Sequence, residues 1–381
     1  MIEIQQDRII LHFLEFQQNV TALADEFTEQ IFPEINAQTN QSGQSRLHYS
    51  TERVRPDQQV VGMIDERTVY AETLADRTKR IIRKCLWNDY FTYPEWNASP
   101  KLEICFNRRF RIPHDGRLYY PPEPGKLGRL SIISAAKFSK GVPTKWRTAG
   151  DALVQIYQSE AFTMEFWSTL PLALRVSTAT HDALTGDPVC NTLISHPQNY
   201  LAIHGKNCLH ERSTGAGRGC EWVANPQTFL NAEGRKVQPQ ESTLAINFTA
   251  HTLRPEVHLR ERVLDRWALI RECILSGRDD CLREVVSLIC PSNGDTDVFE
   301  FGEYAITRSV GPRPDSRCAG EWEAHPSQRV TARMCDFVQS RKLTNDISRV
   351  IPLTEAQYRE SDIPWFDYYR GNLQSSLRLQ K

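Results

Sequence analysis

The chain alternates between stretches with a clear apolar period and stretches with none. Apolar side chains at Ile2, Ile9, Phe13, Phe16, Val20, Leu23, Phe27 and Ile31 recur at spacings of three, four and seven. That period predicts an amphipathic helix over 2–34, broken near Pro33. Residues 36–66 are rich in Gln, Asn, Ser and Arg and read as an exposed connection, and a second helix is predicted over 68–86. KLEICFNRRFRI (101–112) alternates as a strand does, and PPEPGKLG (121–128) cannot hold a helix or a central strand, so a domain boundary is placed there.

Beyond the boundary, LSIISAAKFS fits helix or strand, TAGDALVQIY reads as a short helix, and an apolar helix is expected from about 165, over Ser168 to Ala183. Residues 184–240 read as a loop-rich middle. STLAINFTAH (242–251) alternates and predicts a strand. A helix over 254–277 follows, with Pro255 in its first turn and Gly277 near its end, and VFEFGEYAITRSV (298–310) reads as a strand or hairpin. The aromatics of PWFDYYRG near the C-terminus are expected to pack back onto the body.

Composition narrows the function classes. The 381 residues, 40% hydrophobic and 24% charged, can bury a substantial core. A net charge of −1 gives no global footprint for nucleic acid or an anionic membrane, so neither partner is expected. The N-terminus has no basic-then-apolar design, and the longest apolar stretches, such as LPLAL, are too short to span a bilayer. A cytoplasmic chain, or one exported without a cleaved signal peptide, is the reading. Ten cysteines occur without a C-x-x-C pair, which predicts reduced and mostly buried thiols.

Three groups of residues invite a chemical reading. Cys190, His196, His204, Cys208, His210 and Cys220 are of zinc-ligand type, yet only Cys208 and His210 are close in sequence, one residue tighter than a zinc knuckle pair. The Gly-rich STGAGRGC (213–220) lacks the Lys-Ser/Thr of a P-loop and reads as a flexible loop. The arginines at 260–278 are matched by Glu256, Glu261, Asp265 and Glu272 and read as a solvated helix face. No metal or cofactor is assigned.

Nucleophilic catalysis on a papain-like core needs a nucleophile at a helix N-terminus, and a later strand bringing a histidine and an orienting polar group. The layout here matches: AFTMEFWSTLPLAL (161–174), then GRGCEWVANP (217–226), then QESTLAINFTAHT (240–252). In order and separation these stretches resemble the spore-coat protein-glutamine gamma-glutamyltransferases of bacilli, a bacterial transglutaminase family with a papain-like, cell-wall-amidase-like core. The resemblance covers roughly 125–255. It implies an α+β fold with an N-terminal helix packed on an antiparallel sheet; the periodicities read above place a mainly helical region over 1–120 before it and a C-terminal helix-plus-strand extension over 256–381 after it. It implies acyl transfer from a protein glutamine to lysine or water, with His251 as base and acid and Glu241 as the imidazole's orienter. Backbone N–H groups around 166–168 would hold the oxyanion. The nucleophile's position falls on Phe166, and a phenyl ring cannot attack an amide. Ser168, Thr169, Cys208 and Cys220 are then the substitute nucleophiles to consider. Otherwise the chain is a retired enzyme, a non-enzymatic binding or effector protein acting on a protein partner, or a zinc module around 190–220.

Overall fold

In a computed structural model, the described residues are 1–41, 48–50, 60–64, 67–72, 74–87, 100–111, 126–138, 142–157, 160–213, 219–224, 229–230, 236–237, 245–276, 285, 315–336 and 353–365. They form a mixed α/β protein with one large sheet and few helices. The chain divides into two compact units, both discontinuous in sequence. Unit one comprises Met1–Phe13, Lys101–Leu253 and Thr296–Lys381; unit two comprises Leu14–Pro100 and Arg254–Asp295. This partition runs across the expected division at 121–128, because the N-terminal strands pair with the strand after residue 100.

Unit two holds most of the helices. α1 (Leu14–Gln41) starts twelve residues later than the period predicted, and it runs on through Pro33. Ile35, fully buried beyond the proline, anchors that last stretch in the core. β3 (His48–Ser50), β4 (Val60–Ile64) and β5 (Arg67–Glu72) make a small antiparallel sheet; β3 and β4 fall in the predicted connection, and β5 takes the start of the predicted second helix. α2 (Leu74–Trp87) buries Ile81, Ile82, Cys85 and Leu86 at helical spacing. The helix predicted over 254–277 is two helices, α4 (Pro255–Arg262) and α5 (Trp267–Ser276), separated at Val263. Val263 leaves the helical backbone region at φ −127° and is fully buried. Phe16 meets His258 edge-on at 5.3 Å, and Trp87 stacks on the same imidazole at 5.5 Å. Arg262 is buried, so the basic face of this region is not uniformly solvated.

Unit one carries the large sheet. Its strands are β1 (Ile2–Ile4), β2 (Arg8–His12), β6 (Lys101–Arg109), β7 (Ser131–Ser134), β8 (Ala152–Ile156), β9 (Ala161–Ser177), β10 (Leu201–Leu209), β11 (Glu211–Ser213), β12 (Gly219–Val223), β15 (Ala245–Thr252) and β16 (Gln328–Asp336). A separate two-stranded ribbon pairs β13 (Phe229–Leu230) with β14 (Lys236–Val237). The main path runs β1-β2-β6-β9-β15-β16-β8-β7, with β10 and β12 against the other edge of β9. All these pairs are antiparallel except β16 with β8. The two ends of the path meet: Ile132 N–H donates to Gln6 O at 2.7 Å, and Leu130 N–H to Phe106 O at 2.8 Å. α3 (Thr144–Ala149) ends at Gly150, whose φ of +69° closes the helix in the left-handed region that glycine tolerates. The expected helix of TAGDALVQIY is therefore only its first two residues, and the rest is loop and β8, buried at every position.

The largest departure from expectation is β9. Residues 161–177, expected to carry a helix start near 165 and an apolar helix beyond it, form one strand of 17 residues. Only Trp167 and Thr169 in it are more than slightly exposed. A strand covered on both faces loses its alternation, and a Leu- and Ala-rich run then reads as helix from local sequence alone. The papain-like arrangement, in which a nucleophile-bearing helix packs on the sheet, is thus not formed by this segment.

Pro171 explains how so long a strand is accommodated. β6 pairs with β9 as far as Ser168, and β15 pairs with it from Leu172. Proline, which has no N–H for a ladder, falls in the gap between these two partners. Opposite the gap, Ile203 pairs with Leu172 and Gly205 with Ser168, so Thr169–Pro171 face the single residue His204. Gly205 takes a φ of +78° at this bulge. Ser168 Oγ donates to Leu170 O at 2.6 Å inside the kink. The two halves of β9 consequently serve two parts of the sheet whose inner faces meet: the rings of Phe166 on β9 and Phe106 on β6 lie 6.2 and 6.1 Å from Phe248 on β15.

α6 (Glu355–Glu360) and its flanks pack within unit one, while of PWFDYYRG only Pro364 and Trp365 lie within the described residues. Leu353, Tyr358 and Ile363 form a buried cluster with Phe110, and Tyr358 Oη accepts from Arg111 N–H at 3.0 Å. Trp365 lies edge-on to Tyr358 at 5.2 Å. The strand or hairpin expected at 298–310 lies outside the described residues.

Candidate functional site

The residues expected to form a catalytic site are not assembled around one point. Phe166 sits mid-strand, fully buried, paired with Ile104 on one side and Asn207 on the other. With ladders on both sides, the backbone around 166–168 is sheet rather than the open N–H cluster of a helix start. The ring turns inward to Phe248. His251 is on the same strand as Phe248, three residues on. Side chains alternate along a strand, so Phe248 and Ala250 share one face while Thr249 and His251 share the other. The imidazole therefore leaves β15 on the face opposite to the one that meets Phe166. Glu241 lies outside the described residues.

His251 is itself fully buried. Its Nδ1–H donates to Glu323 O at 2.9 Å, on the segment 315–327 that runs along β15 ahead of β16. That bond leaves Nε2 as a bare acceptor, and it is buried with no partner among the described residues. Burial pushes the imidazole pKa down; the Glu323 carbonyl works against this, and the charges of Arg175, Arg329 and His325 add to it. The ring is tied to a backbone carbonyl, and it leaves β15 on the face away from Phe166.

The substitute nucleophiles are engaged elsewhere. Ser168 bonds within the β9 kink, and Thr169 Oγ1 accepts from Lys101 N–H at 2.9 Å. Burial pushes the Cys208 thiol up to about 11, aided by the nearby Glu165 charge, which keeps it protonated. The side chain of Cys220 is outside the described residues, as are Gly215 and Gly217 of the Gly-rich loop.

The zinc reading finds no cluster: among the described residues no group of three or more His, Cys, Asp or Glu side chains is placed to hold a metal ion. His210 is pushed down to about 4 by burial, reinforced by Arg109. Cys190 is bound up with loop polar groups instead. Asn199 Nδ2 donates to its Sγ at 3.2 Å and to Thr192 O at 3.0 Å, while Asn199 Oδ1 accepts from Ile194 N–H at 2.8 Å. Arg175 Nη2 donates to Cys190 O and lies 3.9 Å from Sγ.

Two polar constellations emerge that sequence reasoning missed. The first is the outward face of β6, β9 and β10. Register sets Cys105, Glu165 and Cys208 side by side, with Glu103, Trp167 and Lys206 in the next row. Glu165, nearly buried, accepts from Asn107 Nδ2 at 2.9 Å and Trp167 Nε1 at 2.8 Å, and pairs with Lys206 Nζ at 3.0 Å. Burial alone would raise its pKa, but these three donors outweigh it and hold the carboxyl below the usual range. The ammonium of Lys206 also lies 5.5 Å from the Trp167 ring centroid. Ion pairs continue toward β2: Lys101 and Arg8 each reach Glu103 at 2.7 Å, and Asp7 joins Arg8 to Arg129.

The second is the junction of loop 178–200 with segment 315–327, on the His251 side of the sheet. Tyr200 Oη and Trp322 Nε1 both donate to Asp315 Oδ2 at 3.0 Å, Asp315 N–H donates to Gln198 Oε1 at 2.9 Å, and Ala319 N–H donates to Ser195 Oγ at 3.1 Å. None of these residues shares a periodic pattern, so only their meeting in space makes them a unit.

The geometry defines a class no finer than a mixed α/β protein built on a curled, mostly antiparallel sheet. No family model, curated protein or solved structure matches the chain.

Proposed function

We propose that this chain is a non-enzymatic binding protein that meets a protein partner through the polar face of β1, β2, β6, β9 and β10. The observation that supports this reading is the separation of Phe166 and His251 onto opposite faces of β15. Acyl transfer needs a nucleophile and its base within hydrogen-bond reach of a common substrate, about 3 Å. A core phenyl at the nucleophile's position and an imidazole tied to the Glu323 carbonyl both suit structural roles. The polar face suits recognition: Glu3, Asp7, Arg8, Arg129 and Lys206 are each about a third to a half exposed, with both signs interspersed around Trp167.

The alternative is the transglutaminase-like reading, and one assay separates the two. Incorporation of a fluorescent primary amine into a glutamine-bearing protein is measured with the wild-type chain and with His251→Ala. The binding reading expects neither protein to exceed the blank. Incorporation by the wild type that disappears in His251→Ala would reverse the assignment.

A further inference from the structure

We propose that Cys190 is a site of reversible oxidation by hydroperoxides, with Arg175 and Asn199 holding the oxidised sulfur. Arg175 lies on β9, is only 5% exposed, and directs Nη2 at the Cys190 carbonyl oxygen and sulfur. Its Nε–H is buried and has no acceptor among the described residues. Nε–H and Nη2 share one edge of the planar guanidinium, so the open donor faces the same side as the donor already at Cys190. A buried unsatisfied donor on a cation costs stability, and an oxygen added to Sγ supplies the missing acceptor.

The sulfur is poised for this. Cys190 is half-buried, so a small peroxide can reach it. Asn199 Nδ2 already donates to Sγ at 3.2 Å, and the thiol's own hydrogen points to Thr192 O at 3.3 Å. The step is a two-electron oxidation. The thiol sulfur attacks one peroxide oxygen, the O–O bond breaks, an S–O bond forms, and the second oxygen leaves as water (or alcohol, from an alkyl peroxide) carrying the thiol proton. The product is a sulfenic acid, whose anion accepts from the Arg175 fork and the Asn199 amide. Because loop 178–200 also bonds to segment 315–327 through Ser195 and Gln198, the modified residue lies in a loop tied to the segment that binds the His251 ring.

The test uses the whole reduced protein, exposed to hydrogen peroxide in the presence of dimedone, with peptide mass spectrometry reporting the adduct at each cysteine. Cys318 is the internal comparison, being exposed and lying beside the Glu321 carboxylate, which accepts from its N–H at 3.3 Å. Cys190 is expected to trap about tenfold more adduct than Cys318, the size a charge-assisted hydrogen bond confers, and Arg175→Lys, which keeps the charge but not the fork, to lose most of that excess. Equal labelling of Cys190 and Cys318 overturns the proposal, as does full labelling in a folded Arg175→Lys protein. If that variant does not fold by circular dichroism, the wild-type ratio decides alone.

Discussion

Replacing Phe166 by cysteine puts the family's nucleophile where the resemblance would have it, and the structure assigns that change a cost and no gain. The phenyl ring is fully buried between Phe248 and its neighbours on β6. Truncating a buried Phe to Ala costs about 3–5 kcal/mol. A thiol returns one heavy atom of that volume, worth about 1 kcal/mol, so Phe166→Cys should lose about 2–4 kcal/mol. Urea unfolding followed by near-ultraviolet circular dichroism reads the loss as a lower midpoint of the unit-one transition. The same variant gives a second readout. A cysteine facing Phe248 is sealed from solvent, so a thiol reagent such as iodoacetamide should label position 166 only after unfolding, and amine incorporation should stay at the blank. A destabilisation under about 1 kcal/mol, rapid native-state labelling of position 166, or acquired acyl transfer would each refute the inward orientation of this residue.

Other expectations follow from the same geometry. The folded-state pKa of His251 and of His210 is lowered below the unfolded value of 6.5, so the unfolded chain binds more protons and stability falls as pH drops below 6.5, down to about 4 for His210. His251→Gln should shorten that acid-side loss in a series of melts from pH 7 to 4, and an unchanged pH profile would remove His251 from the account. Gly205→Ala, at φ +78° with open space around the added methyl, should cost about 1 kcal/mol from backbone strain alone, with Asn at the same position costing less. A neutral result in thermal unfolding would mean the β10 bulge relaxes. Glu165→Gln should cost about 2 kcal/mol, since it weakens three donors to a nearly buried acceptor, whereas Lys206→Met should cost under about 1 kcal/mol because its side chain is 44% exposed and water screens the pair. Equal losses in the two variants would argue that the ion pair, rather than the neutral donors, holds the carboxylate.

The elements legible in the sequence were those whose pattern is local. β6 and β15 alternate cleanly, and both were read as strands at nearly their observed limits. Pro255 marked a helix start correctly, as the first residue of α4. The first twelve residues misled because Ile9 and Phe13 continue the apolar spacing of α1, while Ile9, Ile10 and Leu11 are a buried strand run paired to β6. That pairing spans some ninety residues of sequence and leaves no local trace.

Sequence alone determined that this chain could bury a large core, that it bears no concentrated charge, and that strands lie within 101–112 and 242–251, which the structure places at 101–109 and 245–252. Only the tertiary structure decided that 161–177 is strand and not helix, because an apolar run covered on both faces has no period and takes its form from whatever packs on it. It alone decided that Phe166 looks inward and His251 outward from the same sheet. A shift of one residue in the pairing of β15 would exchange those faces, and register is set by partners far away in the chain.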